Sequence, residues 1–388
     1  MSTPRDTVID WATRLVAIDT TSRHSNLPLI DLVAGQLRDL GVRAHIRPDP
    51  TGDKANLIAT IPDATGGVTG GVVLSGHTDV VPVDGQHWTT PPFEPQIRHG
   101  RLYGRGSCDM KGFLAVALAS VPDMLTAALD EPIHLAFSYD EELGCIGGDQ
   151  MVKDIAELGL CPRIAFIGEP TSMRVILAHK SVNLAEFTVR GLAAHSSRKP
   201  EALNAIEQAA RIITRIRTLG ERYEHDGPYD DAYDITHTTI GVNQIVGGIA
   251  SNTVADRCEF VCDFRTIAAD DPRAVADVLR GFAADLERDL ADRPGGGVEV
   301  AIGPMTPGLD SAKDGPAALL AGALGAQISA DKVAYGTEAG QFSNAGMDAV
   351  VVGPGDIAQA HGPDEFVELS QLATCDDFIG RLIRHLSR

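Results

Sequence analysis

The chain predicts an α/β protein of two domains, one inserted into the other. Three observations carry this. Short apolar runs alternate with amphipathic segments over residues 1–180 and 304–388, the pattern of a sheet with helices on its faces. Over residues 181–303 the order becomes β-α-β-β-α-β, that of a ferredoxin-like split βαβ unit. A length of 388 residues is enough for two hydrophobic cores.

Val8, Trp11, Leu15 and Ile18 recur at helical spacing. Residues 1–20 therefore read as an amphipathic helix and not as the continuous apolar stretch of a signal peptide. A second helix over 27–41 stops at Gly41. Strands follow at 55–61 and 72–74, then a helix over 110–125, a strand at 133–138, a helix near 150–158 and a strand at 163–167. In the inserted part, strands at 182–189, 238–246, 253–264 and 298–302 alternate with helices at 201–219 and 272–290. The charged stretch 221–234, with its Tyr, Gly and Pro, reads as an exposed loop. A helix at 317–324, strands at 332–335 and 349–352, and a helix at 369–386 complete the order.

Composition removes several functions. A net charge of −20 disfavours nucleic acid and anionic membrane surfaces as partners. No apolar run approaches the length of a membrane span. Cys108, Cys145, Cys161, Cys258, Cys262 and Cys375 form no Cys-x-x-Cys pair, so they read as free thiols in a reducing compartment. The expected location is the cytoplasm.

The chemistry lies in charged residues placed after the apolar runs. They are His77 and Asp79 in Ser-Gly-His-Thr-Asp, Asp109 in Cys-Asp-Met-Lys-Gly, Glu141 and Glu142 in Asp-Glu-Glu, Glu169 in Gly-Glu-Pro-Thr, and His361 in Ala-His-Gly-Pro. Charge at the end of a buried strand is costly unless something pairs with it, and two divalent metal ions would pair with the whole set. In open α/β sheets, ligands collect at the carboxyl ends of the strands. Side chains two apart in extended chain face the same way, so Asp79 can accept the second N–H of His77. Each residue also has an ordinary reading. Asp109 can cap the helix after it, Glu141 and Glu142 can form an acidic loop, Glu169 can punctuate a strand, and His361 can sit in a solvated loop. The set as a whole points to a metal-dependent hydrolase, one glutamate binding metal and its neighbour acting as general base. In the inserted domain, His195 is either functional or a loop histidine. Arg265 is a carboxylate clamp or a surface ion-pair partner, and Asn252 a substrate contact or a turn residue.

These residues resemble the di-zinc metallopeptidase and deacylase family. The resemblance covers essentially the whole chain. Its motifs are Ser-Gly-His-Thr-Asp-Val-Val-Pro (75–82), Leu-Tyr-Gly-Arg-Gly-Ser-Cys-Asp-Met-Lys-Gly (102–112), Asp-Glu-Glu (140–142), Gly-Glu-Pro-Thr (168–171) and Ala-His-Ser-Ser (194–197). Within the family, the stretch 353–365, with Ala-His-Lys, Gly-Gly-Ile-Ala-Ser-Asn and Gly-Thr-Glu-Ala, looks most like the branch that deacetylates N2-acetyl-L-ornithine in arginine biosynthesis. Cys108 and the long stretch 221–234 depart from the usual pattern. The resemblance implies a zinc-peptidase-like α/β catalytic domain, a lid and dimerisation domain inserted at 181–303, and a homodimer. It implies two Zn2+ ions, which Co2+ can replace. They would be held by His77, Glu169 and Asp109 on one side and by Asp109, Glu142 and His361 on the other. Asp79 would orient His77, and Glu141 would be the base. His195 would donate a hydrogen bond to the oxyanion from a partner subunit, and Arg265 with Asn252 would bind the substrate carboxylate. The same chemistry on N-acetylcitrulline, N-succinyl-diaminopimelate or a dipeptide is the near alternative. A catalytically silent binding protein is the alternative of another class.

Overall fold

The computed structural model describes residues 3–387. The chain divides into two compact units. The first holds the chain through Ala178, then Leu309–Ala330, and the chain from Thr337 onward; the second holds His179–Gly308 with Asp331–Gly336.

The first unit is built on a six-stranded mixed sheet. Its strands run in the order Ala44–Pro48, Ala55–Ile61, Ile133–Ser138, Val72–His77, Ile164–Ile167, Asp348–Val351. The first three neighbours pair antiparallel and the remaining pairs are parallel. Val72–His77 and Ile133–Ser138 are buried at every residue. A strand buried on both sides needs cover on both faces, which is why these runs show no polar alternation. The helix Lys111–Ala119 packs on Val72–His77 and is itself buried throughout, between the helices Asp6–Val16 and Leu369–His385. Ile146–Glu157 packs against Ala55–Ile61 and Ile133–Ser138. Leu74, Leu135, Phe137, Phe166, Phe113 and Leu372 lie in the resulting core. Three parallel neighbours thus carry His77, the Glu141–Glu142 pair and Glu169 at or just beyond their carboxyl ends.

The second unit has a four-stranded antiparallel sheet in the order Thr239–Gly247, Arg257–Arg265, Val182–Arg190, Gly297–Thr306. The helices Ala205–Asp226 and Pro272–Leu290 pack against it and each other. Here burial alternates along Val182–Arg190 and Arg257–Arg265, so one face meets the helices and the other does not. Phe187 and Phe260 stack at 4.7 Å between ring centroids at the centre of this core.

Three expectations are corrected. The helix expected over 110–125 is two helices, Lys111–Ala119 and Val121–Thr126, broken at Ser120. Pro122 has no N–H for the carbonyl four residues back, and its ring clashes with it. The stretch 221–234 is not an exposed loop throughout. The helix Ala205–Asp226 occupies its first part, and Tyr233 is only 2% exposed. The strand expected at 332–335 is a single bridge from Val333 to His179. Lys332 is held by Asp230 at 2.8 Å and by the Ala232 carbonyl at 2.8 Å, and these tertiary contacts take the segment out of a ladder.

Candidate metal centre

His77 ends its strand and is 1% exposed. Its Nε2 lies 3.0 Å from Asp109 Oδ1 and 3.8 Å from Glu169 Oε1. Its Nδ1 lies 2.9 Å from the Asp79 backbone carbonyl and 3.5 Å from Asp79 Oδ1. The carbonyl, and not the carboxylate expected from the spacing, is the nearer acceptor. The Asp79 carboxylate also accepts from Ser22 Oγ at 2.7 Å, Glu141 N at 3.1 Å and Glu142 N at 3.3 Å. Asp79 therefore orients His77 through both its carbonyl and its carboxylate, and the carboxylate also fixes the loop that bears both glutamates.

Asp109 faces two ways. Oδ1 turns to His77, and Oδ2 lies 3.1 Å from His361 Nε2, which is 3.2 Å from Glu142 Oε1. Asp109 does not cap the helix that follows: the residue at that cap is Met110, with no side-chain bond. Two sets, His77–Glu141–Glu169 and His77–Asp109–Glu142, each bring their ligand atoms within 4.8 Å of one another. Six of the seven residues read from the sequence thus converge on one centre, and Asp79 braces it from behind.

The charges explain why such a centre needs cations. Burial pushes up the carboxyl groups of Glu141 and Glu169, and the neighbouring Asp109 charge adds to it at both. Burial raises Glu142 too, again helped by Asp109. Burial opposes a charged His77, yet hydrogen bonds to Asp109 and Asp79 and the Glu169 charge outweigh it and raise the imidazole well above its ordinary value. Hydrogen bonds to Asp109 and Glu142 lift His361 to about 10. Burial of Asp109 is likewise outweighed, by its bonds to His361 and His77, and its carboxyl falls below the ordinary range. Four carboxylates share two imidazoles, and Glu169 Oε1 is buried with no hydrogen-bond partner among the described residues. Imidazole nitrogen and carboxylate oxygen are donors that divalent transition metals accept, so the residues fit such ions.

A family profile, Peptidase family M20/M25/M40, matches residues 73–385. The chain belongs to this family. Among its M20 relatives, an acetylornithine deacetylase from Myxococcus xanthus is 34% identical over 377 residues, covering 96% of each chain. Another acetylornithine deacetylase, from Proteus mirabilis (strain HI4320), is 35% identical over 373 residues, covering 95% of this chain and 92% of its own. Solved M20 structures share the fold. The metallo-carboxypeptidase Sso-CP2 from Sulfolobus solfataricus superposes with TM-score 0.76 at 18% identity, over 98% of this chain and 99% of that one. A dinuclear metal binding peptidase from Bacillus subtilis gives TM-score 0.64 at 17% identity, over 98% and 97%. This M20 chain is a metal-binding amidohydrolase by family.

Two residues of the M20 centre were not singled out from the sequence. Glu365 accepts from Cys108 N at 2.9 Å and Asp109 N at 3.1 Å, and pairs with Arg105 Nη1 at 2.6 Å. Arg105 and Glu365 are each 1% exposed, so the pair is a buried strut behind Asp109. The available signal was Arg105 between two glycines and Glu365 two residues after Pro363, each inside a quoted stretch.

His195, Asn252 and Arg265 belong to the second unit. His195 caps a short 3-10 helix, its Nδ1 accepting from Ser197 N at 3.2 Å. Asn252 lies beside it, its carbonyl accepting from Ser196 N at 2.9 Å. Arg265 is elsewhere, at the far end of Arg257–Arg265, with Nε 3.4 Å from Asp263 Oδ1. At about 3.3 Å per residue that strand separates the two by more than ~20 Å, so within one chain they do not form a joint clamp.

Proposed function

We propose that the protein hydrolyses N2-acetyl-L-ornithine to L-ornithine and acetate, a step of arginine biosynthesis, using two zinc ions that cobalt can replace. The observation that carries the chemistry is Asp109, with one oxygen toward His77 and Glu169 and the other toward His361 and Glu142. The choice of substrate is supported by relatives of that name matched over nearly the whole chain.

His77, Asp109 and Glu169 would hold one ion; Asp109, Glu142 and His361 would hold the other. Bound divalent metal supplies positive charge that polarises the amide carbonyl and makes water acidic enough to ionise near neutrality. Glu141 takes the proton of the attacking water. The water oxygen bonds to the carbonyl carbon, the C–N bond breaks, and Glu141 hands its proton to the departing amine nitrogen. Burial already gives Glu141 a raised proton affinity, which suits a group that must accept and return one. Asp79, through its bonds to the Glu141 and Glu142 amides, keeps the base and its neighbour in register.

His195 supplies a hydrogen bond to the oxyanion, a contribution of about 3 kcal/mol in comparable sites. We infer a homodimer through the second unit, in which His195 and Asn252 serve the partner's substrate; Arg265 is the further candidate for the substrate carboxylate. The strand Thr239–Gly247 lies at the sheet edge, with Ile245 53% and Val246 72% exposed, an apolar edge that a second copy would cover. Six free cysteines support a cytoplasmic setting.

The test is amine release from N-acetylornithine, N-acetylcitrulline and N-succinyl-diaminopimelate by the zinc-loaded protein, with Glu141→Ala as control. Preferential, Glu141-dependent turnover of N-acetylornithine is the expected result. Preference for another of the three overturns the substrate assignment and keeps the mechanism. No turnover with both metals bound overturns both. Mixed His195→Ala and Glu141→Ala heterodimers should regain activity; proven heterodimers without recovery sink the partner-subunit role of His195.

A further inference from the structure

The loop that carries Glu141 and Glu142 is held at a point the mechanism above does not use. In extended chain, neighbouring side chains point to opposite sides. Yet Glu141 and Glu142 each belong to a candidate ligand set that includes His77. The chain turns just before them, at Asp140, whose φ is 52°. This is the left-handed region, which a residue with a side chain seldom enters and which surrounding contacts must hold.

Those contacts come from the start of the neighbouring strand Ala55–Ile61. Lys54 Nζ lies 2.5 Å from Asp140 Oδ1 and 2.6 Å from Oδ2, with the two side chains only 15% and 11% exposed. The same ammonium donates to the Ser22 carbonyl. Ser22 Oγ in turn donates to the Asp79 carboxylate that accepts from Glu141 N and Glu142 N. One cation thus links the residue before the base to the carboxylate that holds the base's own amide. Two residues along, Asn56 is fully buried and closes the loop. Its Nδ2 donates to the Gly147 carbonyl at 2.9 Å, and its Oδ1 accepts from Tyr139 N at 3.2 Å. Gly147 N donates to the Tyr139 carbonyl at 3.0 Å, so the two ends of the loop touch. A Cβ on Gly147 would sit 2.1 Å from that carbonyl oxygen, which leaves room for glycine alone. Inside the loop, the Asp140 carbonyl accepts from Ile146 N at 3.1 Å, and the Glu141 carbonyl from Cys145 N at 2.7 Å.

We propose that Lys54 is a positioning residue for Glu141, acting through Asp140. The ammonium locks Asp140 in its left-handed turn, and the turn presents both Glu141 and Glu142 to the centre. Asn56 fixes the ends of the loop, and Lys54 fixes the point from which the base departs. A partly buried ion pair seldom adds net stability over well-packed apolar residues; here it contributes direction. The role rests on Glu141 being the base, and adds what aims that base.

The experiment compares Lys54→Met, Asp140→Asn, Asp140→Gly and the double variant carrying both Lys54→Met and Asp140→Asn, all at saturating zinc. It reads kcat and KM on N-acetylornithine, and hydrogen exchange of the amides of residues 140–146. Glycine and asparagine both accept a left-handed turn, but neither offers Lys54 a carboxylate. Both should lose kcat by about 10–100-fold, as should Lys54→Met, with KM within about 3-fold of the parent. The double variant should be no worse than the poorer single one, because the two residues act as one pair. Exchange over 140–146 should quicken on the order of 10-fold in each variant, with the helix Lys111–Ala119 unchanged. Full activity in Asp140→Gly would overturn the proposal, since the turn would then need no anchor. Losses that multiply in the double variant would overturn it too, as would unchanged exchange over 140–146. The exchange arm needs no substrate. A parent inactive on every N-acyl amino acid therefore counts against the proposed reaction, while unchanged exchange counts against the anchor alone.

Discussion

Two central strands of this molecule make opposite use of charge. Ile133–Ser138, in the first unit, is buried at every residue and leads straight into Asp140, Glu141 and Glu142. Val182–Arg190, in the second, alternates buried and accessible residues and keeps its charge on the accessible side, where Arg190 meets Glu299 at 2.9 Å. The second unit spreads its ion pairs over solvent; Arg211–Asp289 and Arg215–Asp285 join its helices in the same way. The first concentrates acid where water is scarce. An exposed pair solves its own electrostatic problem cheaply. A buried acidic cluster does not, and it is stable only with protons or metal ions among its members.

The strongest way to break this comparison is at Asp109. Asp109→Asn removes the carboxylate shared by both sets, and elemental analysis should find metal lost and hydrolysis undetectable. Retention of two ions would mean that Asp109 does not bridge. Phe187→Ala removes half of the Phe187–Phe260 stack and should destabilise the second unit by about 3–5 kcal/mol. If that unit holds no metal ligand, calorimetry should record the loss while the folded protein keeps its metal. Asp79→Asn weakens the brace on His77 and on the Glu141–Glu142 loop, and kcat should fall about 10–100-fold with the fold intact. An unchanged kcat would leave Asp79 a purely structural residue.

A fourth prediction concerns pH. In the metal-free protein His361 is raised from 6.5 to about 10 by its carboxylate partners. A raised base contributes stability that is complete below 6.5 and is lost as pH climbs toward about 10. Glu141 and Glu169, raised by burial, act in the same direction as pH climbs from 4.5 toward their raised values. The Tm of chelator-treated protein should therefore fall across that window, while metal-loaded protein, whose ligands are already deprotonated, falls less. A rise in Tm of the chelated form would contradict the charge assignment. The smallest effect is expected in the second unit: Arg190→Ala should cost less than about 1 kcal/mol, and less still at high salt.

Much of the fold was legible in the sequence because periodicity is a local property. The helix Pro272–Leu290 and the strands Ala55–Ile61 and Ile133–Ser138 have the bounds their residues imply. Pro122, which ends a helix from inside an apolar run, carried its own local warning. The strand expected at 332–335 failed for a non-local reason, since Lys332 is committed to Asp230, far away in the chain.

The candidate centre divides along the same line. The sequence alone determined which residues are the candidates for the chemistry, because a histidine or carboxylate after an apolar run is conspicuous wherever the chain goes next. The change from one strand–helix pattern to the other is also visible along the chain. Only tertiary structure decided which atoms meet. Parallel pairing of Val72–His77 with both neighbours puts His77 between the glutamates, and Asp109 receives a histidine on each oxygen. Folding also assigned the Asp79 carboxylate to two backbone amides, placed Arg105 and Glu365 behind the centre, and set Asn252 and Arg265 at opposite ends of a strand. These depend on directions and distances between segments far apart in sequence. Neither residue type nor spacing encodes them until the sheet is formed.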